Sequence, residues 1–114
     1  MSRPIDNPSS EASAPRDPLL VLEGRWTLQI LLALKEGDLR FSDLRAALSA
    51  ISANVLTQRM RDLETAELVE RRYLPPPAAS QVYALADLAD TLRPALDHLA
   101  TWRASHSQPK GETP

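Results

Sequence analysis

Only Ser49, Ala50 and Ile51 separate a helical stretch ending at Leu48 from a second one that Ser52 opens, and a link this short constrains the fold more than any other feature of the chain. In the first stretch Ser42 is the expected N-cap, Asp43 suits the positive end of the helix dipole, and Leu44 and Leu48 share the inner face. In the second, Ser52 caps a helix whose Leu56, Met60 and Leu63 form one buried stripe. Two helices of about two to four turns joined so tightly make a helix-turn-helix unit.

The flanking segments fit around that unit. Asp17-Pro18 is a helix start, with an Asp N-cap and a proline where a missing N–H costs nothing, and Gly24 closes the short helix. Next, Arg25 to Gly37 places Trp26, Ile30, Leu31 and Leu34 at helical spacing, which predicts a buried helix of about three turns with Gly37 as its C-cap. Leu39, Arg40 and Phe41 form a brief extended link. Beyond Glu67, Leu68 to Leu74 alternates and is β-prone at Val69 and Tyr73; Pro75, Pro76 and Pro77 stop it, and Gln81 to Leu85 returns as a second strand. A hairpin in that place is a wing. Asp87 to about Arg103 is helical again, with Leu88, Leu92, Leu96, Leu99 and Trp102 on or near one side, and Pro94 predicts a kink or break within it. The fold class is therefore α+β and mostly helical, a winged helix-turn-helix followed by a C-terminal helix, with the core drawn from residues 26–34, 44–48, 56–63 and 68–85.

Aromatic residues make up only 4% of the 114-residue chain, so the core must come from Leu, Val, Ile and Ala, which favours helix packed on helix. The length suits one domain of modest core. Residues 1–16 and 105–114, rich in Pro, Ser and charge, read as disordered tails around a folded domain at 17–104. A formal charge of -2 argues against a protein that coats nucleic acid or membranes indiscriminately, but does not exclude a local basic patch. With no cysteine, disulfides, thiolate metal sites and thiol redox sensing are ruled out.

The longest apolar runs, Leu19 to Leu22 and Ile30 to Leu34, fall far short of a membrane span, and the N-terminus has no basic-then-apolar signal pattern. The cytoplasm is the default address. A Gly-rich phosphate loop, a nucleophile beside a base and a cluster of metal ligands are all missing, so neither an enzyme nor a cofactor is expected. His98 and His106 have no third ligand near them, which argues against a zinc site.

The polar side of the second helix carries the functional signal. With Leu56 at zero on a helical wheel, Asn54, Thr57, Gln58 and Arg61 gather on the opposite side within an arc of roughly 100°. These side chains read base edges: Arg pairs with guanine, Asn and Gln with adenine, and the Thr methyl meets thymine. Ser52 starts the helix, so its free N–H groups suit a phosphate, while Asp62 and Glu64 lie toward the far end. Since a recognition helix enters the major groove N-terminal end first, this polarity is the useful one. Any solvated helix could show such a face; the tight turn before it and the hairpin after it favour DNA.

Other residues admit plainer readings. Arg40 and Arg45 flank the preceding helix and read as solvated or as paired to Asp43 or Asp62. Arg59 lies on the flank of the buried stripe and is expected to pair with an acid rather than read a base. Arg71 and Arg72 alternate faces on the strand, so at most one can aim at DNA. Trp26 and Trp102 read as packing residues.

Five segments in order, GRWTLQILLAL (24–34), RFSDLRAAL (40–48), ISANVLTQRMRDLE (51–64), LVERRY (68–73) and LRPALDHLATW (92–102), resemble the HxlR family of bacterial winged helix-turn-helix transcription regulators. The resemblance implies a homodimer that binds a palindromic operator in double-stranded DNA, with Leu19 and Leu22 of the first helix and Leu88, Leu92, Leu96, Leu99 and Trp102 of the last packed across the two-fold axis. Arg40, Ser52, Asn54, Thr57, Gln58 and Arg61 are then the DNA-binding residues, with the region of Arg40 and Arg45 beside a phosphate strand. The departures are informative too. Asp17-Pro18 replaces a frequent Cys-Pro, so the signal must be a small-molecule effector, a partner or protein concentration. Asn54 stands where relatives often carry Arg or Lys. Glu67 and Ala89 replace glycines, which is tolerable where the backbone avoids positive φ. The wing tip PPPAASQVY contains no Lys or Arg, leaving Ser80 and Gln81 as weaker phosphate partners. The competing reading is a winged-helix protein-interaction module without an operator, and a cavity beside Trp26 or Trp102 would suit an effector.

Overall fold

The Asp17 carboxylate accepts a hydrogen bond from the Leu19 N–H at 3.0 Å, and Pro18 takes the first position of a 3₁₀ helix, Pro18–Glu23. The computed structural model describes residues 17–106. The expected tails lie outside these residues, except that Ser105 and His106 continue the last helix.

The next helix, α1 (Thr27–Leu34), is shorter than expected, because Trp26 adopts a left-handed φ of 74° and blocks extension toward Arg25. Lys35 rather than Gly37 caps its end. Ile30, Leu31, Leu32 and Leu34 are all buried, so the helix is enclosed on most sides. Leu39 then exchanges two backbone hydrogen bonds with Tyr83, at 3.0 and 2.7 Å, adding a one-residue bridge to the wing.

Helix α2 (Phe41–Ala47) is capped by Arg40, not Ser42. The Asp43 carboxylate accepts from the Arg40 N–H at 3.0 Å, and an ionised acceptor three residues past the cap secures the start that a serine hydroxyl was expected to provide. Helix α3 (Ala53–Thr65) begins as expected, the Ser52 hydroxyl accepting from the Val55 N–H at 3.1 Å. Leu56, Met60 and Leu63 are its buried face.

At the end of α3 the Leu68 N–H donates to Leu63 and the Glu67 N–H to Glu64, both at 3.0 Å. This double closure requires a left-handed residue at Glu67, whose φ is 64°. The condition under which a residue other than glycine is easily tolerated is therefore not met at Glu67. Ala89 does avoid positive φ and lies fully in the core, where a side chain is wanted.

Strands β1 (Val69–Tyr73) and β2 (Gln81–Leu85) form an antiparallel hairpin with Val69 opposite Leu85 and Tyr73 opposite Gln81. The C-terminal segment breaks into a 3₁₀ helix, Asp87–Leu92, and helix α4 (Arg93–His106). Pro94 sits in the first turn of α4, where its missing N–H leaves no ladder bond unmade. The Lys35 ammonium meets Asp97 at 3.0 Å and ties α4 to α1; that pair and Glu36 raise the Lys35 pKa.

The core is aliphatic, as the composition required, and also recruits Ile51 from the turn, Ala89 and Leu96. Leu96 is only 2% exposed. It belongs to the core of the protomer and not to the expected dimer face, because the change from 3₁₀ to α-helix at Arg93 turns it inward onto α1.

Candidate nucleic-acid interface

Burying Leu56, Met60 and Leu63 obliges the opposite side of α3 to face solvent, and there Asn54, Gln58 and Arg61 are exposed while Thr57 is half-buried. The Ser52 oxygen is engaged by its cap, which leaves its O–H free to donate. The turn before α3 is stiff: Ile51 is buried and its N–H donates to Leu48 at 2.8 Å.

The acid bonded to this face is Asp62. Gln58 Nε2 donates to Asp62 Oδ1 at 3.0 Å, and Arg59 Nη1 donates to Asp62 Oδ2 at 3.0 Å. Arg59 Nε also donates to the Arg25 carbonyl at 3.0 Å. Arg59 thus pairs with an acid, as its place on the wheel suggested.

Arg40 is exposed at the α2 cap, and its Nε donates to the Ser80 hydroxyl at 3.3 Å. Its two terminal nitrogens have no partner among the described residues. The Leu39–Tyr83 bridge sets this residue beside the wing.

The wing arginines are both occupied. Arg71 Nε meets Glu64 at 2.8 Å, and Arg72 holds Glu70 at 2.7 Å and Asp38 at 3.4 Å. The Glu70 hydrogen bond is the main cause of a raised Arg72 pKa. Tyr83, beneath them, is pushed above the usual tyrosine range, first by burial and then by the charge of Glu64. Lys35 and Arg93 are paired as well. On the helix-turn-helix, by contrast, Arg40, Arg45 and Arg61 have no acid partner among the described residues; Arg25, which lies over the Trp26 ring at 5.4 Å, and Arg103 are the others. Uncompensated positive charge is therefore concentrated where DNA was expected. The sequence did not single out Tyr73, which is 76% exposed on the wing; its alternation on β1 could have flagged it.

Large apolar side chains are exposed as well. Leu19 is 58%, Leu88 51% and Trp102 60% exposed, joined by Leu99 and by Leu20, which sequence reasoning passed over. Leu22 and Leu92 are half-buried against the core. Trp102 is thus not the packing residue expected; it stacks on His106 at 5.1 Å. A groove of about 1040 Å³ runs between the two 3₁₀ helices and the end of α3, lined by Leu19, Leu20, Leu22, Leu68, Leu88 and Leu92 among others. Neither Trp26 nor Trp102 lines it, contrary to the expected place of an effector cavity. Among the described residues no group of three or more His, Cys, Asp and Glu could hold a metal, and no helix is long and apolar enough to cross a membrane.

The sequence model of the HxlR-like helix-turn-helix family matches residues 21–111. The chain is 33% identical over 89 residues to the HTH-type transcriptional regulator YvaP of Bacillus subtilis, across 78% of this chain and 82% of that one. It is 33% identical over 92 residues to an HTH-type transcriptional regulator of Methanothermobacter thermautotrophicus, across 78% of this chain and 70% of that one. The reduced form of the transcriptional regulator YodB from Bacillus subtilis is similar in structure, with a TM-score of 0.65 at 26% identity, covering 92% of this chain and 98% of that one.

Proposed function

Because the chain belongs to the HxlR-like helix-turn-helix family of transcriptional regulators, we propose that it binds a palindromic operator as a homodimer in the cytoplasm and controls transcription without catalysis. One observation carries the reading: Asn54, Gln58 and Arg61 on the polar side of α3 are exposed, and Arg40, Arg45 and Arg61, which have no acid partner among the described residues, lie on the same helix-turn-helix. Asn54, Thr57, Gln58 and Arg61 read base edges, while Ser52 and Arg40 hold phosphates. The exposed Leu19, Leu20, Leu88, Leu99 and Trp102 supply the dimer contact, with Leu22 and Leu92 behind them. Two copies of α3 about one DNA turn apart then match the operator's symmetry. With no cysteine in the chain, the controlling signal is a small molecule, a partner or concentration.

The test is binding to the DNA upstream of its own gene and of the adjacent divergent gene, at two salt concentrations, against unrelated DNA of equal length. A preference of roughly a thousandfold or more near physiological salt is expected. The neutralised wing favours one other reading, a protein-interaction module, which predicts weak binding without sequence preference that vanishes at moderate salt.

A further inference from the structure

Asp62 accepts hydrogen bonds on both carboxylate oxygens, one from the neighbouring reading face and one from the helix flank. An ionised carboxylate can only accept, so the atom that Gln58 turns toward it must be the amide nitrogen. The choice between the two amide orientations is thereby settled by chemistry. Oxygen Oε1 and the second N–H of Gln58 are left without a partner among the described residues, on an exposed side chain. Those are the acceptor and donor that a glutamine needs to engage N6 and N7 of adenine together.

The carboxylate is itself held. Arg59 grips its other oxygen and donates from Nε to the Arg25 carbonyl, so a chain of hydrogen bonds runs from the backbone before α1 to the reading face. Arg59 passes over Gly24, where an added Cβ would lie 3.7 Å from its Nε. We infer that Asp62 is a positioning residue for base readout: held by Arg59, it fixes the amide of Gln58 for an adenine in the operator. The inference rests on the reading that α3 enters the major groove. It also explains an acid near a surface meant for DNA, since both oxygens are committed to donors rather than turned toward phosphate.

The experiment measures binding to the operator and to versions in which each adenine in turn is replaced by 7-deazaadenine or by another base, for the full chain, Gln58→Ala, Asp62→Ala and the double variant. The unaltered protein and Gln58→Ala together locate the base pair that Gln58 reads. At that pair Asp62→Ala is expected to reduce the preference about three- to tenfold, the cost of leaving a long side chain to be ordered on binding. It should produce no further change when Gln58 is already alanine. A purely electrostatic Asp62 would instead raise affinity for every sequence alike, and a purely structural one would lower thermal stability while leaving base preference intact; either result overturns the proposal. Should alanine cost the fold, Asp62→Asn keeps the volume, but its single accepting oxygen cannot serve Gln58 and Arg59 together, so loss in the same direction is expected. If Gln58→Ala alters preference at no pair, the positioning role fails while operator binding stands. If the unaltered protein is indifferent to every base pair, the operator reading fails and takes this one with it.

Discussion

Leu96→Ala separates the core from the proposed dimer face. Leu96 is 2% exposed and packed in the aliphatic core, whereas Leu99 and Trp102, further along α4, face outward. Truncating leucine to alanine removes three buried carbons, about 2.4 kcal/mol of transfer free energy at roughly 0.8 kcal/mol each. A residual cavity brings the loss to about 3 kcal/mol, within the range known for such sites. For a folded unit of this size that is a fall in Tm of about 12–24 °C. Trp102→Ala should behave in the opposite way: a small loss of protomer stability, but dissociation of the dimer at concentrations where the unaltered chain stays paired. Urea unfolding at several protein concentrations, with sedimentation on the same samples, distinguishes the two. A Leu96→Ala variant that loses under about 1 kcal/mol and comes apart into folded monomers would refute the core assignment.

Three further outcomes are expected. Arg61→Ala should relax preference at one base pair by about 1–3 kcal/mol, read from a panel of operator variants; equal weakening on all sequences would make Arg61 a phosphate contact. Glu67→Gly should stabilise by about 0.5–1 kcal/mol in urea unfolding, because the left-handed conformation costs an L-residue about 1–2 kcal/mol and glycine returns about half of that as chain entropy; a destabilised variant would show that the Glu67 side chain holds something. Stability should fall above about pH 10. Lys35 and Tyr83 both have pKa values raised by folding, so the unfolded chain releases their protons first and unfolding is favoured as pH rises through that window. Tyr83→Phe should remove the tyrosine part of that fall in a denaturation series across pH, and an unchanged profile would discount it.

The residues whose environment follows from local pattern were legible. Leu56, Met60 and Leu63 recur at helical spacing, Ser52 precedes them, and β2 lies between proline-rich turn and helix at the residues expected. What escaped depends on partners distant in sequence or on backbone geometry. No periodicity links Arg40 to Ser80 or Leu39 to Tyr83. Trp26 and Glu67 carry no mark of a left-handed backbone, since the side chains alone favour ordinary conformations and the turn around each imposes the other. Leu96 fits the same stripe as Leu92 and Leu99 on an unbroken helix; the 3₁₀ segment before Arg93 changes the phase and sends it inward. On the polar face of α3, type and position were visible in Gln58, but its hydrogen bond to Asp62 was not, because a wheel shows which residues are neighbours and not which atoms meet.

An acidic chain that binds DNA must neutralise its surplus arginines away from the contact and leave a few bare at it. Arg59, Arg71, Arg72 and Arg93 hold carboxylates, while on the helix-turn-helix Arg40, Arg45 and Arg61, and beyond it Arg25 and Arg103, have no acid partner among the described residues. If Arg40, Arg45 and Arg61 each meet one phosphate or the field of several, the proposed dimer releases about six counterions' worth of charge. With about 0.9 per phosphate, the logarithm of the binding constant should then fall with the logarithm of salt concentration at a slope no steeper than about -5. Operator titrations at four or five salt concentrations measure it directly. A slope well beyond that bound would mean that Arg71 and Arg72 leave Glu64, Glu70 and Asp38 when DNA arrives, so that the wing is held in reserve by its acids. A slope within it, unchanged by Arg72→Ala, would mean that those ion pairs persist in the complex and that the wing shapes the fold beside the operator without gripping the backbone.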